Sequence, residues 1–311
     1  MSVVHRKVSL TMKGRKMRLY APDKFNGANL LGTFPNGSLE WLEARSEGIG
    51  GSEIGTILGL NPWESAVTAW AKKTHKIPAT TQTNFAMRLG QVLEDPILLL
   101  WQEKNPEWEV YQTGTYADGN LPFLHANPDA LAHNPDTDEW VILEVKTSRN
   151  YWDELPPQYE AQVQHYLGIM GLDRGILIGL VGMDWFEQEI KRDDFQITEQ
   201  NKAAAEFWRC VQEDIRPAWD GSESTYETLR AENPTIDDNE VEVEDVFLIV
   251  EAQANYDRAK SELTKIKSQI LEAMGSAKSA YVEYNGERIT VVQRQSRGEG
   301  LPYLVVKKGK K

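Results

Sequence analysis

His125-Ala126-Asn127-Pro128-Asp129 is followed, fifteen residues after Asp129, by Glu144-Val145-Lys146. An acid just after a proline, then an acid and a lysine two apart on an apolar run, suits hard metal ions and phosphate. Mg²⁺ prefers oxygen ligands, keeps several waters, and is usually held by one or two carboxylates plus substrate phosphate. A bound metal can lower the pKa of its water and neutralise charge on a phosphate. Lys146 could orient the attacking water or stabilise transition-state charge. The same residues also fit a surface turn and a salt bridge at the end of a strand, because short motifs match by chance.

Positioning these groups requires particular elements. Val141 to Lys146 is apolar and β-branched, which predicts a strand. Side chains on a strand alternate faces. Val141, Leu143 and Val145 therefore share a core face, and Trp140, Ile142, Glu144 and Lys146 share the other. Asn-Pro upstream favours a turn that brings Asp129 to the same end.

Four blocks in this order resemble the lambda-exonuclease-like family of phage recombination nucleases, the YqaJ viral recombinase group of the PD-(D/E)XK superfamily. The first is Trp41 to Arg45 running through Gly48-Ile49-Gly50-Gly51-Ser52-Glu53 to Asn61-Pro62-Trp63. Arg88-Leu89-Gly90 to Glu94-Asp95-Pro96 is the second, and the Asn-Pro-Asp and Glu-Val-Lys pair the third. Gln158 to Tyr166 is the fourth.

The resemblance implies roles. Asp129 and Glu144 look like metal-binding acids, with the Val145 carbonyl as a further ligand and Glu94 as a supporting helix acid. Lys146 looks like the catalytic lysine. Gln162 and Tyr166 match a QxxxY helix; four apart, they lie on one helix face, an arrangement that simple packing also explains. Arg45 and Ser52 look like phosphate-binding residues near the DNA end; Ser52 also fits a helix cap. Glu94 fits an ordinary amphipathic helix too, one that Pro96 would kink or restart. His125 and His165 flank the site and read as scaffold. Ala130 stands where the family usually has glycine, and Glu53 where aspartate is commoner.

The implied fold is α/β: a PD-(D/E)XK restriction-endonuclease-like core, a central mixed sheet flanked by helices, with a C-terminal long helix and β-hairpin as an appendage. Residues 1–38 read as a basic arm, 39–232 as the nuclease domain and 233–311 as the appendage. The start of the arm is basic, with His5, Arg6, Lys7, Lys13, Arg15, Lys16 and Arg18. A helix is expected from Thr198, as cap, to Trp219. In the appendage, Leu248, Ala252, Tyr256, Ala259, Leu263, Ile266, Ile270 and Met274 recur at steps of four or three. This is a long amphipathic helix with heptad-like spacing, and Asn285-Gly286 between apolar runs marks a hairpin. The appendage could pack on the nuclease, join subunits or bind a recombination partner.

Composition sets limits. The single Cys210 excludes a disulfide within the chain and a four-cysteine iron–sulfur cluster, and it fits a reducing cytoplasm. The resemblance implies a phage- or prophage-encoded protein in a bacterial host. Apolar runs are too short to span a membrane. A net charge of −13 is unusual for a DNA binder. The charge is segregated, however: residues 234 to 251 carry seven acids and no base, while Lys307, Lys308, Lys310 and Lys311 end the chain.

The expected activity is Mg²⁺-dependent resection of linear double-stranded DNA ends, with Mn²⁺ as a substitute ion and two metals in the site. By resemblance the direction is 5′ to 3′, the product passes to a single-strand annealing protein, and the assembly is a ring-shaped trimer. The alternatives are a structure-specific endonuclease on the same fold and a catalytically silent DNA-binding or annealing module.

Overall fold

The computed structural model describes residues 10–12, 15–17, 19–35, 37–79, 84–296 and 298–307. The chain divides into two units, Met1–Ile236 and Asp237–Lys311. In the first, strands β1 (Leu10–Met12), β2 (Arg15–Met17), β3 (Leu19–Tyr20), β4 (Lys24–Phe25) and β5 (Ala28–Gly32) precede helix α1 (Leu39–Ser46). Then come β6 (Ile49–Gly50), α2 (Gly51–Ile57), α3 (Ala66–Lys73) and α4 (Phe85–Lys104). Strands β7 (Glu109–Gln112), β8 (Thr115–Ala117), β9 (Leu124–Ala126), β10 (Ala130–Asn134) and β11 (Glu139–Ser148) follow, and then α5 (Pro157–Met170). The unit closes with β12 (Arg174–Val181), β13 (Asp184–Lys191), α6 (Asp194–Gln212) and α7 (Glu223–Glu232).

Six strands form a mixed sheet in the order β13-β12-β11-β10-β7-β3. β11 pairs parallel with β12 and antiparallel with β10. A second sheet has the order β4-β5-β8-β9-β6. The mixed sheet flanked by helices matches the expected α/β core.

Both faces of β11 are buried. Val141 and Leu143 pack with Ile97, Leu98 and Trp101 of α4. Ile142 packs on the opposite side with Val163 and Leu167 of α5. The predicted alternation of faces is present, but the face bearing Glu144 is also a core face until the strand reaches that residue. Helix α5 packs on β9 of one sheet and on β11, β12 and β13 of the other. Ala161, Val163, Leu167 and Met170 are all fully buried, as befits a helix enclosed on several sides.

Several boundaries differ from the sequence expectation. Leu19–Gly32, grouped there with a basic arm, supplies strands to both sheets. These strands are too short to carry a period-two signature. His5, Arg6, Lys7, Lys13, Arg18, Lys308, Lys310 and Lys311 lie outside the described residues. Helix α4 runs through Pro96 as one helix, so Pro96 starts no new first turn. Helix α6 begins four residues before Thr198: the Asp193 carboxylate accepts from the N–H groups of Phe195 and Gln196 at 2.9 and 3.0 Å. A carboxylate at this end also meets the positive pole of the helix. The unit boundary falls after Ile236 rather than after 232.

The second unit contains helix α8 (Phe247–Met274) and an antiparallel sheet of β14 (Ser279–Tyr284), β15 (Glu287–Gln295) and β16 (Tyr303–Val306). Asn285 and Gly286 turn the β14–β15 hairpin with φ of 49° and 80°, the two positive values that a type I′ turn requires. The third strand was not anticipated. Among the described residues, no helix is long and apolar enough to cross a membrane.

Candidate active site

Arg45, Ser52, Glu94, Asp129, Glu144, Lys146, Gln162 and Tyr166 line one cleft of about 370 Å³ in the first unit. They come from α1, α2, α4, β11, α5 and the turn before β10, so only the tertiary fold unites them. β11 delivers Glu144 and Lys146 from the same face, and α5 lies across that face.

The centre is a hydrogen-bonded network. Lys146 Nζ donates to Glu144 Oε1 at 2.7 Å and to Gln162 Oε1 at 3.0 Å. Gln162 Nε2 donates to the same Glu144 oxygen at 2.6 Å and to Tyr166 Oη at 3.0 Å. The Tyr166 hydroxyl donates to the Asn127 carbonyl at 3.2 Å, tying α5 to the turn that carries Asp129. Asp129 Oδ2 accepts from the Val145 N–H at 2.7 Å. Lys146 also lies over the Tyr159 ring, 5.0 Å from its centroid. Gln162 fixes the lysine and the glutamate together, a role its spacing alone did not specify.

The electrostatics are unbalanced toward negative charge. Burial, then the Glu144 and Glu94 carboxylates, push the Asp129 pKa well above its ordinary value, against Lys146 and the Val145 N–H. Burial, then Glu144 and Asp95, raise Glu94 from 4.5 to about 7. Burial works against the Lys146 ammonium, but Glu144 and Asp129 outweigh it and hold the lysine protonated. Burial and Glu144 push the Tyr166 phenol up, so it serves as a neutral donor.

Glu144 Oε2 is buried and has no hydrogen-bond partner, although its other oxygen has two donors. An unpaired buried carboxylate oxygen is costly. A divalent cation satisfies such an oxygen and offsets the excess of carboxylates, so the donor set fits Mg²⁺ or Mn²⁺. Among the described residues, no three acidic, histidine or cysteine side chains form a ligand cluster on their own. Glu94, which the resemblance implies as a supporting acid, lines the same cleft as Asp129 and Glu144. The arrangement suits an ion that also takes water and substrate oxygens.

The other wall is built on α1 and α2. The Arg45 guanidinium stacks over the Trp41 ring at 4.7 Å, and Nη2 donates to Ser52 Oγ at 3.3 Å. Ser52 does not cap α2. Gly50 is the cap residue, and its N–H donates to Glu53 Oε2 at 2.9 Å. Gly51 is required by close approach: a Cβ there would lie 2.3 Å from Tyr166 Cε1.

Lys73 escaped the sequence reading. Its side chain is 4 % exposed and pairs with Glu53 Oε1 at 2.9 Å. Its Nζ also donates to the carbonyls of Arg45 and Gly48 at 2.7 and 2.6 Å. It thus pins the end of α1 to the start of α2. In sequence it is the second of two consecutive lysines, Lys72 and Lys73, at the end of α3, which reads as a helix-end surface residue. His165 Nε2 lies 3.3 and 3.2 Å from the carbonyls of Ile49 and His125. Burial lowers its pKa to about 4, so it is a neutral member of the scaffold. Burial also lowers His125, which lies behind the Gly48 turn.

Residues 40–173 match the YqaJ-like viral recombinase domain. YqaJ of Bacillus subtilis (strain 168) is 33 % identical over 251 residues, 77 % of this chain and 74 % of that protein. The chain belongs to the YqaJ-like viral recombinase family. Every residue placed in the cleft above lies within the family domain. Among solved structures, an alkaline exonuclease from Laribacter hongkongensis is similar at 19 % identity, with a TM-score of 0.48 over 57 % of this chain and 94 % of that one. A phage-related exonuclease from Haemophilus somnus 129PT is similar at 13 % identity, with a TM-score of 0.42 over 54 % and 96 %.

Proposed function

We propose that this YqaJ-family protein is a metal-dependent deoxyribonuclease that resects linear duplex DNA from its ends, 5′ to 3′. The observation that carries the reading is Glu144. One oxygen is held by Lys146 and Gln162, and the other is buried and free for a cation beside Asp129.

Asp129, Glu144 and the Val145 carbonyl would hold Mg²⁺ or Mn²⁺, and Glu94 would support a second ion. A bound ion supplies a lowered water pKa and charge neutralisation on the phosphate. The protein residues do the rest. Lys146, kept protonated by Glu144 and Asp129, presents a fixed ammonium to the phosphate or to the attacking water. Gln162 holds the Lys146–Glu144 pair in register and contributes its amide at the same point. The Tyr166 phenol, anchored on the Asn127 carbonyl, sets the distance between α5 and the Asp129 turn. Arg45 and Ser52 face the same cleft and suit the phosphate of a DNA end; Arg binds phosphate with a planar fork of donors. The single-stranded product would pass to an annealing protein.

Substitution tests the roles. Lys146→Ala and Glu144→Ala should abolish turnover of linear duplex while DNA binding in a mobility shift persists. Full turnover in either variant refutes the assignment. Arg45→Ala should remove a preference for 5′-phosphorylated over 5′-hydroxyl ends; an unchanged preference places the end pocket elsewhere.

A further inference from the structure

The Lys146 ammonium is held by more than its two hydrogen bonds. Lysine carries this charge on a flexible four-carbon stem. The bonds to Glu144 Oε1 and Gln162 Oε1 leave one of its three N–H donors for the cleft that Lys146 lines. The Tyr159 ring lies against the ammonium, with its centroid 5.0 Å from Nζ. At that distance a ring face attracts a cation. Tyr159 is half-buried and is not among the residues lining the cleft, so it reaches the substrate only through Lys146.

The ring is itself braced. Trp152, in the connection between β11 and α5, packs on Tyr159 with ring centroids 5.3 Å apart. Phe186 of β13 meets Trp152 edge-on at 5.2 Å. The sheet register prepares this stack. Lys146, Gly179 of β12 and Phe186 are direct partners across three strands, so Lys146 and Phe186 share one face. Gly179 places no side chain between them, and a Cβ there would overlap the Lys146 carbonyl. Tyr151 ties the same connection to β13, its hydroxyl donating to Asp184 Oδ2 at 2.9 Å. On α5, Tyr159, Gln162 and Tyr166 are three and four residues apart, so one helix face carries the ring, the amide and the phenol.

We infer that Tyr159 is a positioning residue: its ring, braced through Trp152 on Phe186, fixes the Lys146 ammonium for the reaction. The inference rests on the reading of Lys146 as the catalytic lysine. The ring face does this work, and the hydroxyl does not. A ring that only filled space would support folding without touching the chemical step.

Steady-state kinetics on linear duplex in Mg²⁺ test it, with circular dichroism at the assay temperature as the control for folding. Tyr159→Leu should lower kcat about tenfold with KM little changed, because the lost contact acts after the substrate is bound. Tyr159→Phe keeps the ring and should match the parent. Trp152→Leu removes the brace and leaves the ring, so its kcat should fall between the two. A second measurement needs neither metal nor DNA. In protein carrying ¹³C-labelled lysine, the Lys146 Cε protons are assigned by their loss in Lys146→Ala. They should be shifted upfield by the ring in the parent and in Tyr159→Phe, and return to the ordinary lysine position in Tyr159→Leu. Parent-like kcat in a folded Tyr159→Leu overturns the inference. So does a Tyr159→Phe variant as slow as Tyr159→Leu, or an unshifted Lys146 signal in the parent. Full turnover in Lys146→Ala is a separate failure: it removes the catalytic reading of Lys146, and the inference with it.

Discussion

Glu144 sits where a strand that is otherwise core becomes chemistry. Its burial, its two donors and its unpaired oxygen together explain why an amide suits position 162: its oxygen accepts from Lys146 while its nitrogen donates to Glu144. Lys73 and Glu53 do comparable work on the opposite wall. Removing one partner of a buried pair leaves an uncompensated charge, so Lys73→Met should lower stability by roughly 3–5 kcal/mol. Urea unfolding checks this, and an unchanged midpoint contradicts it. The pair also predicts a pH response. Burial raises the Glu53 pKa, but Lys73, Arg45 and the Gly50 N–H outweigh it and bring it below 4.5. A carboxyl depressed in the folded state adds stability above its unfolded pKa and loses it as pH falls through the folded value. The stability gap between the parent and Glu53→Gln should therefore shrink as pH falls below 4.5. A gap that stays constant with pH sinks the ion-pair account. The structure brings Asp129, Glu144, Lys146, Gln162 and Tyr166 to one cleft; the acids and Lys146 were legible as one reading of a short motif, and the Gln–Tyr pair through the family resemblance. Lys73 was not, because nothing local distinguishes a lysine that will donate to two distant carbonyls from one that faces water.

Strands and helices hold these groups in register, and their legibility follows length and period. β11 was legible from β-branched residues, α5 from the resemblance to the family's QxxxY helix and the hairpin from Asn285-Gly286. β3, β4 and β5 were hidden because two to five residues carry no usable alternation. The start of α6 was misplaced because Thr198 resembles a cap, whereas Asp193 makes two capping bonds. The contact between α2 and α5 is the most sensitive junction near the chemistry. Gly51→Ala would drive a methyl into the Tyr166 ring. Displacing Tyr166 moves Gln162 and the Asp129 turn together, and a shift of about 1 Å at a catalytic group can cost 10²-fold. Gly51→Ala should therefore lose turnover on the order of 10²-fold while remaining folded by circular dichroism. Parent-like turnover would show that this contact does not position the site.

At the scale of the molecule, the net charge of −13 is reconciled with the proposed DNA substrate by where the cations stand. Lys146 and Arg45 occupy the cleft, and a divalent cation would supply what the carboxylates lack. Metal should thus govern activity more sharply than overall charge does. The activity of the whole chain is tested most directly by one comparison: linear duplex and covalently closed circular DNA, each incubated with the protein in Mg²⁺ and in Mg²⁺ with excess EDTA. The account predicts loss of linear duplex in Mg²⁺, protection by EDTA, and survival of the closed circles. Linear duplex that survives in Mg²⁺, or is degraded equally in EDTA, would contradict it, and cutting of closed circles would make the protein an endonuclease instead.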